Sequence, residues 1–182
     1  MIPWPVRSTE PGFTMIELLV TVAVLSVLAA IAVPSFKPLF KRWRVMQAAE
    51  QLQSTLYFAR SEAIKRGGHV LVQKLPHGSN GCTSAATNQD WDCGWFVCVH
   101  TAGGNTCQAG DPVLQRYDTP RQVQVQRSGG GASIKFNRWG LVAGTWPSFG
   151  FRPLGAPATD AAARRLCMSS GGRIRIAATP TC

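Results

Sequence analysis

The chain has 182 residues, with 19 Lys and Arg against 9 Asp and Glu, for a formal net charge of +10 and a pI near 10.0. Hydrophobic residues make up 45% and charged residues 15%, which excludes a disordered polyelectrolyte and supplies a core for one domain with an appendage. The six Cys (Cys82, Cys93, Cys98, Cys107, Cys167, Cys182) form no Cys-x-x-Cys and meet no His pair, so their spacing argues against zinc and for disulfides in an oxidising compartment.

The first element is apolar. Residues 13 to 33 carry one charge, Glu17, and as a helix of about 1.5 Å per residue they span roughly 30 Å, the hydrocarbon thickness of a bilayer. A cleaved secretory signal, a plain anchor and a helix that leaves the membrane to join a polymer compete for this segment. Arg7 and the small-x-small Ala30-Ile31-Ala32 suit a signal peptide, but the run exceeds the usual apolar core of about 7 to 15 residues and holds a carboxylate near its start. An ionised carboxylate in hydrocarbon costs at least about 2.5 kcal/mol and calls for a partner. Cleavage after Gly12 would supply one, because the new α-ammonium of Phe13 would lie one helical turn from Glu17, on its own helix or a neighbour's. Lys37, Lys41, Arg42 and Arg44 follow the span while the leader offers Arg7 offset by Glu10. The positive-inside count alone would therefore keep the C-terminal part cytoplasmic. Long domains translocate largely regardless of flanking charge, and the Cys content demands an oxidising side, so the basic flank is placed against anionic headgroups instead.

Pro34 and Pro38 are expected to bend or loosen the helix. Val45, Ala49, Leu52, Leu56, Ala59 and Ala63 then recur at spacings of 3 or 4, predicting a helix over about 42 to 66 with one apolar face, stopped by Gly67-Gly68. From His69 the pattern turns to short β-rich runs: His69 to Lys74, Gly94 to Val99, Val113 to Tyr117, Gln122 to Gln126, Ser133 to Phe136, Ser148 to Arg152, Arg165 to Ser169 and Arg173 to Ala177. Residues 76 to 91, 101 to 111 and 153 to 163 read as loops. Six Cys allow 15 connectivities; local closure pairs Cys98 with Cys107 around Ala102-Gly103-Gly104-Asn105, Cys82 with Cys93, and Cys167 with Cys182.

Two blocks of these residues resemble a known family. Gly12-Phe13-Thr14-Met15-Ile16-Glu17 followed by an apolar helix resembles the processing site of type IV prepilins and type II secretion pseudopilins. Phe58-Ala59-Arg60-Ser61-Glu62-Ala63-Ile64-Lys65-Arg66 is similar to FimT-like minor pilins and H-type pseudopilins. The resemblance implies an α+β pilin fold, a long N-terminal helix packed on an antiparallel β domain. It divides the chain into a leader (1–12), a transmembrane and polymerisation helix (13–33), a continuation of that helix (34–66) and a β-rich domain (67–182). It further implies that a prepilin peptidase cuts between Gly12 and Phe13 and methylates the Phe13 amine, and that Glu17 sets register among pilin subunits. The implied location is the bacterial inner membrane with the β domain in the periplasm, and then the pilus on the cell surface.

Charge is uneven. Residues 119 to 182 hold nine basic residues and one acid, Asp160, a net +8, whereas residues 67 to 118 carry −2. In a strand, Arg173 and Arg175 share one face and Ile174 and Ile176 the other, with the two guanidinium groups about 7 Å apart, near the phosphate repeat of a nucleic-acid strand. Gly172-Arg173-Ile174-Arg175 resembles the element with which FimT-like pilins bind DNA in natural transformation. That resemblance implies sequence-independent DNA binding by Gly172, Arg173 and Arg175, joined by Arg164 and Arg165. A Cys167–Cys182 bridge would tether this tail. The alternatives are a structural H-type pseudopilin of a type II secretion system and a minor pilin that only primes assembly.

No residue set points to catalysis, a metal or a cofactor. His69, His77 and His100 lack ligand spacing and nearby paired carboxylates, and Gly129-Gly130-Gly131 lacks the spacing and Lys of a nucleotide loop. Trp95, Phe136, Phe149 and Phe151 read as core; Trp91, Trp139 and Trp146 fall in loops.

Overall fold

The computed structural model describes residues 12–118, 120–144, 146–179 and 181–182, with the side chains of 33–35 left aside. The leader preceding Gly12, with Arg7 and Glu10, lies outside these residues. One helix, α1, runs Met15–Arg66. Its start is a reciprocal cap: the Thr14 hydroxyl accepts the Glu17 N–H (3.3 Å), and the Glu17 carboxylate accepts the Thr14 N–H and hydroxyl (both 3.3 Å). Its end is Gly67, at a φ of 71°, where an L side chain would be strained; the Gly68 N–H reaches back to the Ala63 carbonyl (2.7 Å). The helix continues through Pro34 and Pro38, since a proline forfeits one backbone N–H bond while its fixed φ suits a helix.

The chain divides into two compact units, residues 1–39 and 40–182. In the first, Met15–Ala32 has a mean hydropathy of 2.5 and is exposed throughout, a segment long and apolar enough to cross a membrane. The second holds eight strands: β1 (Val70–Lys74), β2 (Gly94–Val99), β3 (Val113–Asp118), β4 (Val123–Ser128), β5 (Ser133–Phe136), β6 (Ser148–Pro153), β7 (Arg164–Met168) and β8 (Ile174–Ala177). They form two antiparallel sheets, in the orders β3-β2-β1-β5 and β4-β6-β7-β8. Each predicted strand exists, with no end shifted by more than two residues; β1 begins after His69, which takes a positive φ of 63°.

Both sheets and the helix share one core. The predicted helical face, Val45, Ala49, Leu52, Leu56, Ala59 and Ala63, is wholly buried, and Ala48 joins it. Val72, Trp95, Val97, Ile134 and Phe136 meet it from the first sheet; Val125, Phe149, Phe151, Leu166 and Ile174 meet it from the second. Inside this core the Trp95 indole N–H donates to the Thr55 hydroxyl (3.0 Å), which donates to the Gln51 carbonyl (2.8 Å). Trp91 lies outside the strands as expected but is wholly buried in the core, edge-on to Phe149 at 5.0 Å, because residues 89–91 lie along β4: the Trp91 and Arg127 N–H groups bond the Val125 and Gln89 carbonyls. Trp139 and Trp146 are exposed.

Cys82–Cys93, Cys98–Cys107 and Cys167–Cys182 are bridged, and no free Cys remains. The first bridge sits in a second small cluster with Leu75 and Ala85. Beside it, Lys74 is buried and donates its Nζ to the carbonyls of Ala85 (3.2 Å) and Thr87, which pins the loop between β1 and β2. Burial pushes the Lys74 pKa down and that of the nearby Asp92 up, although the Val125 N–H donated to Asp92 opposes the latter.

Glu62, the one carboxylate on the buried side of the helix, accepts from Lys65 and Arg66 (2.9 Å each). Those bonds hold its carboxyl below the ordinary value of 4.5. Asp111 is likewise held low, first by the Gln108 N–H and then by His100, whose Nδ1 lies 2.7 Å away. Both contributions are complete above the unfolded carboxyl values and are lost as pH falls through the lower folded ones. Thermal unfolding of the full chain in nonionic detergent, from pH 7 to pH 3, should therefore show a midpoint that drops more steeply in the wild type than in Glu62→Gln. The variant should be the less stable of the two at pH 7 and should converge with the wild type in acid.

Candidate nucleic-acid interface

Strand alternation and hydrogen-bond register decide which arginines share a surface. In β8, Ile174 is buried and Ile176 is packed against the core, while Arg175 and the preceding Arg173 are exposed. Arg173 stands one residue before the strand, in the turn closed by the Ser169 N–H to the Arg173 carbonyl (3.0 Å) and the Gly172 N–H to the Ser169 carbonyl (2.9 Å). Gly172 has a φ of 77°, and a Cβ there would lie 2.5 Å from the Arg60 guanidinium, which donates to the Gly172 carbonyl (3.0 Å). Arg60 thus ties the turn to the helix, as do Gln53 and Tyr57 through the Ile174 carbonyl (3.3 and 3.2 Å).

Arg173 and Arg175 line one shallow groove with Met168, Ser169 and the Cys167–Cys182 bridge. Arg175 Nη2 donates to the Cys182 backbone oxygen (3.1 Å), so the bridged tail lies against one of the two cations. Arg165 is half-buried and donates to the hydroxyls of Ser128 (3.0 Å) and Ser148 (3.3 Å). It lines a second groove, on the outer face of the β4-β6-β7-β8 sheet, with Gln126, Ser128, Gly150, Arg152 and Thr179. Arg164, one register position earlier and opposite Phe151, turns its Nη1 onto the Ala161 and Ala163 carbonyls (3.2 and 2.6 Å). By register Arg164 alternates to the other face of β7 from Arg165, yet it borders the same groove.

Not all of the C-terminal charge faces water. Arg127 is buried: its Nη1 donates to the Gly131 and Ser133 carbonyls (2.6 and 2.7 Å), and its guanidinium lies 5.9 Å over Trp91. Arg138 and Trp139, by contrast, stack at 5.2 Å on an exposed turn. Residues 161–182 contain no Asp or Glu, and the nearest acid before them in sequence is Asp160. The guanidinium fork is well shaped for phosphate oxygens. Two further residues belong in this description: Arg152, one of the nine basic residues of the C-terminal third, whose Nε donates to Gln124 (3.0 Å), and Gly150, which sequence reasoning passed over. Their signal is visible only once β6 is aligned with β7. At the other end of the chain, Phe13 is 85% exposed and Gly12 and Glu17 are exposed too. Among the described residues no group of three or more His, Cys, Asp or Glu could hold a metal.

Comparison with known proteins follows the same division of the chain. Residues 48–172 match the family model for type II transport protein GspH, and residues 7–33 match the prokaryotic N-terminal methylation motif. The chain is 28% identical to the pilin-like protein PilA1 of Thermus thermophilus over 169 residues, 92% of this chain and 91% of that protein. A fimbrial protein of Pseudomonas aeruginosa is 36% identical over 67 residues, which cover 37% of this chain and 43% of that protein. Among solved structures, the type IV minor pilin FimU of Pseudomonas aeruginosa superposes with a TM-score of 0.57 at 24% identity, covering 77% of this chain and 92% of that one. The minor pseudopilin EpsH from the type 2 secretion system of Vibrio cholerae gives 0.50 at 14%, over 74% and 96%. These likenesses establish the pilin fold.

The tail bridge closes a loop with a sequence separation of 15, for which chain entropy gives about 3 kcal/mol. Replacing Cys167 and Cys182 together by Ser should lower the stability of the full chain by up to that amount. It should also speed amide exchange in residues 178–182 and β8, while exchange in β1 and β2 stays as in the wild type; denaturant titration and exchange mass spectrometry read the two effects.

Proposed function

Since the chain belongs to the GspH family and carries the N-terminal methylation motif of pilin-like proteins, we propose that it is a minor type IV pilin whose C-terminal basic surface binds extracellular DNA for uptake in natural transformation. In this reading the protein is cut between Gly12 and Phe13 by a prepilin peptidase, waits in the bacterial inner membrane with residues 40–182 in the periplasm, and then enters a pilus with other major and minor pilins. Glu17 takes the methylated Phe13 amine of a neighbouring subunit as its partner and so sets register.

The observation that supports the DNA reading best is the pair Arg173 and Arg175, exposed on one side of β8 while Ile174 between them is buried, in a stretch without carboxylates. Contacts of this kind reach phosphates and carry no base information, so binding is sequence-independent. The second reading, a structural pseudopilin of a type II secretion system, is favoured by the GspH family model itself and by the likeness to EpsH.

Processing is tested on protein recovered from the membrane. Intact-mass and N-terminal peptide mass spectrometry should find a chain that begins at methylated Phe13. An N-terminus at Val33 would mark a secretory signal and remove the pilin reading.

DNA binding is tested by anisotropy of labelled duplexes of unrelated sequence. The protein should bind them alike, with dissociation constants of about 10⁻⁴ to 10⁻⁶ M at physiological salt and a steep weakening as salt rises. Arg173→Gln with Arg175→Gln should weaken binding and reduce the salt slope by up to about two. Absence of wild-type binding at low salt would leave the secretion pseudopilin as the better reading. A double variant that binds like wild type at every salt concentration would move the site away from β8.

A further inference from the structure

The register of the second sheet aligns more than the two arginines of β8. On β7, Arg165 stands opposite Gly150 of β6 and Ala177 of β8. Arg152 is two residues from Gly150, and Arg175, opposite Cys167, is two residues from Ala177. Arg152, Arg165 and Arg175 therefore alternate to the same face and form a diagonal across three adjacent strands, with Arg173 beyond its end. Diagonal neighbours in a sheet are about 7 to 8 Å apart, close to the spacing of successive phosphates on an extended strand. The opposite face of the same strands carries Phe149, Phe151, Leu166 and Ile174 into the core, so the arginines cannot rotate away without breaking register.

The middle of the diagonal is a notch. Gly150 offers no side chain beside Arg165, and a Cβ built there would meet nothing nearer than the Gln126 carbonyl at 3.9 Å. The notch is walled by Arg152 and Arg165 and floored by the strand, with Gln126, Ser128 and Thr179 at its rim. None of these residues is a carboxylate. The Ser128 and Ser148 hydroxyls hold Arg165, and the Gln124 amide oxygen holds Arg152. These are neutral acceptors, which position each guanidinium without an ion pair, although the Asp92 carboxylate lies near enough to Arg152 to act on it. A guanidinium has five N–H donors, more than such contacts use.

We infer that a DNA strand crosses this sheet obliquely, its successive phosphates taken by Arg152, Arg165 and Arg175, with one phosphate seated in the notch over Gly150. This deepens, and rests on, the reading that the protein binds DNA, and it enlarges the site from the edge strand to the whole outer face. Arg152 and Gly150 become part of the interface, and Arg164, opposite Phe151 and so alternating to the other face of β7, lies off the diagonal.

The test uses the full chain in nonionic detergent, with labelled 30-nucleotide single strands and 30-base-pair duplexes of two unrelated sequences, titrated at several NaCl concentrations. One variant combines Arg152→Gln and Arg165→Gln. The other is Gly150→Leu, which removes no charge, fills the notch, and puts a better strand former at an unstrained backbone position. The arginine variant should bind severalfold more weakly, with the salt slope lowered by up to about two. Gly150→Leu should also bind severalfold more weakly and lose about one unit of slope, although its net charge is that of the wild type. Both variants should retain three disulfides and the wild-type circular dichroism. If the wild type binds and Gly150→Leu binds equally well at every salt concentration, the notch holds no phosphate and the track is overturned, even where the arginine variant is weak through long-range charge. If the wild type binds and the arginine variant is unchanged, the site is confined to β8. Failure of the wild type to bind at all is a different result, which overturns the DNA reading itself.

Discussion

The contact on which the rest of the molecule depends is the packing of two sheets on one helical face. Ala48, Ala49, Ala59 and Ala63 keep that face thin, and Leu52 and Leu56 fill the space between the small residues. A helix with bulky side chains at every core position could not meet Val72 and Phe136 on one side and Phe149 and Leu166 on the other. The single buried polar exchange at this junction, Trp95 to Thr55 to the Gln51 carbonyl, leaves no donor of its own unpaired. It requires one rotation of the helix about its axis, because a Thr one position away would face elsewhere. Everything outward-facing on the second sheet takes its position from this arrangement: once Leu166 and Ile174 are committed to the helix, Arg165 and Arg175 are committed to the opposite side.

The same helix serves two environments. Over Met15–Ala32 it is apolar on all sides and touches nothing in its own unit that buries it. From Val45 onward it is a one-faced helix of an ordinary core. An all-round apolar surface is stable only in lipid or against other such helices, whereas a single stripe is satisfied by the chain's own sheets. The two halves therefore answer to different partners, and the family relationship with pilin-like proteins gives the first half its natural ones. Three disulfides reinforce the segments that lack this support: the loop after β1, the hairpin loop after β2 and the C-terminal tail.

Much of this was legible in the residues alone, for identifiable reasons. The spacing of 3 and 4 from Val45 to Ala63 and the period of 2 in Arg173 to Ile176 are local signals, and local signals survive without knowledge of the fold. Pairing by short loops placed the Cys bridges for the same reason. What escaped was non-local. Trp91 looked like loop because its neighbours are Asp and Gln, yet those residues strap onto β4 from some 33 positions away. Arg127 counted as surface charge until Gly131 and Ser133 were seen to cover it. His100 found its carboxylate in Asp111, across a disulfide-closed loop. Arg60, in a string read for family likeness, proved to hold the Gly172 turn. Gly150 carried no sequence signal and Arg152 only its charge, since their meaning is a register with a strand that begins at Arg164.

The fastening of β8 has a mechanical meaning. It is an edge strand of four residues, paired on one side only, and an edge strand pulled from an end peels by losing its hydrogen bonds one pair at a time, under little force. Here neither end is open. At its start, Arg60 clamps the Gly172 carbonyl to the helix, and beyond its end Cys182 is bonded to Cys167 on the very strand from which β8 would separate. A pull on this strand must therefore act on all its pairs in shear, or stretch covalent bonds. An edge strand fastened at both ends in this way is protected from unzipping under load.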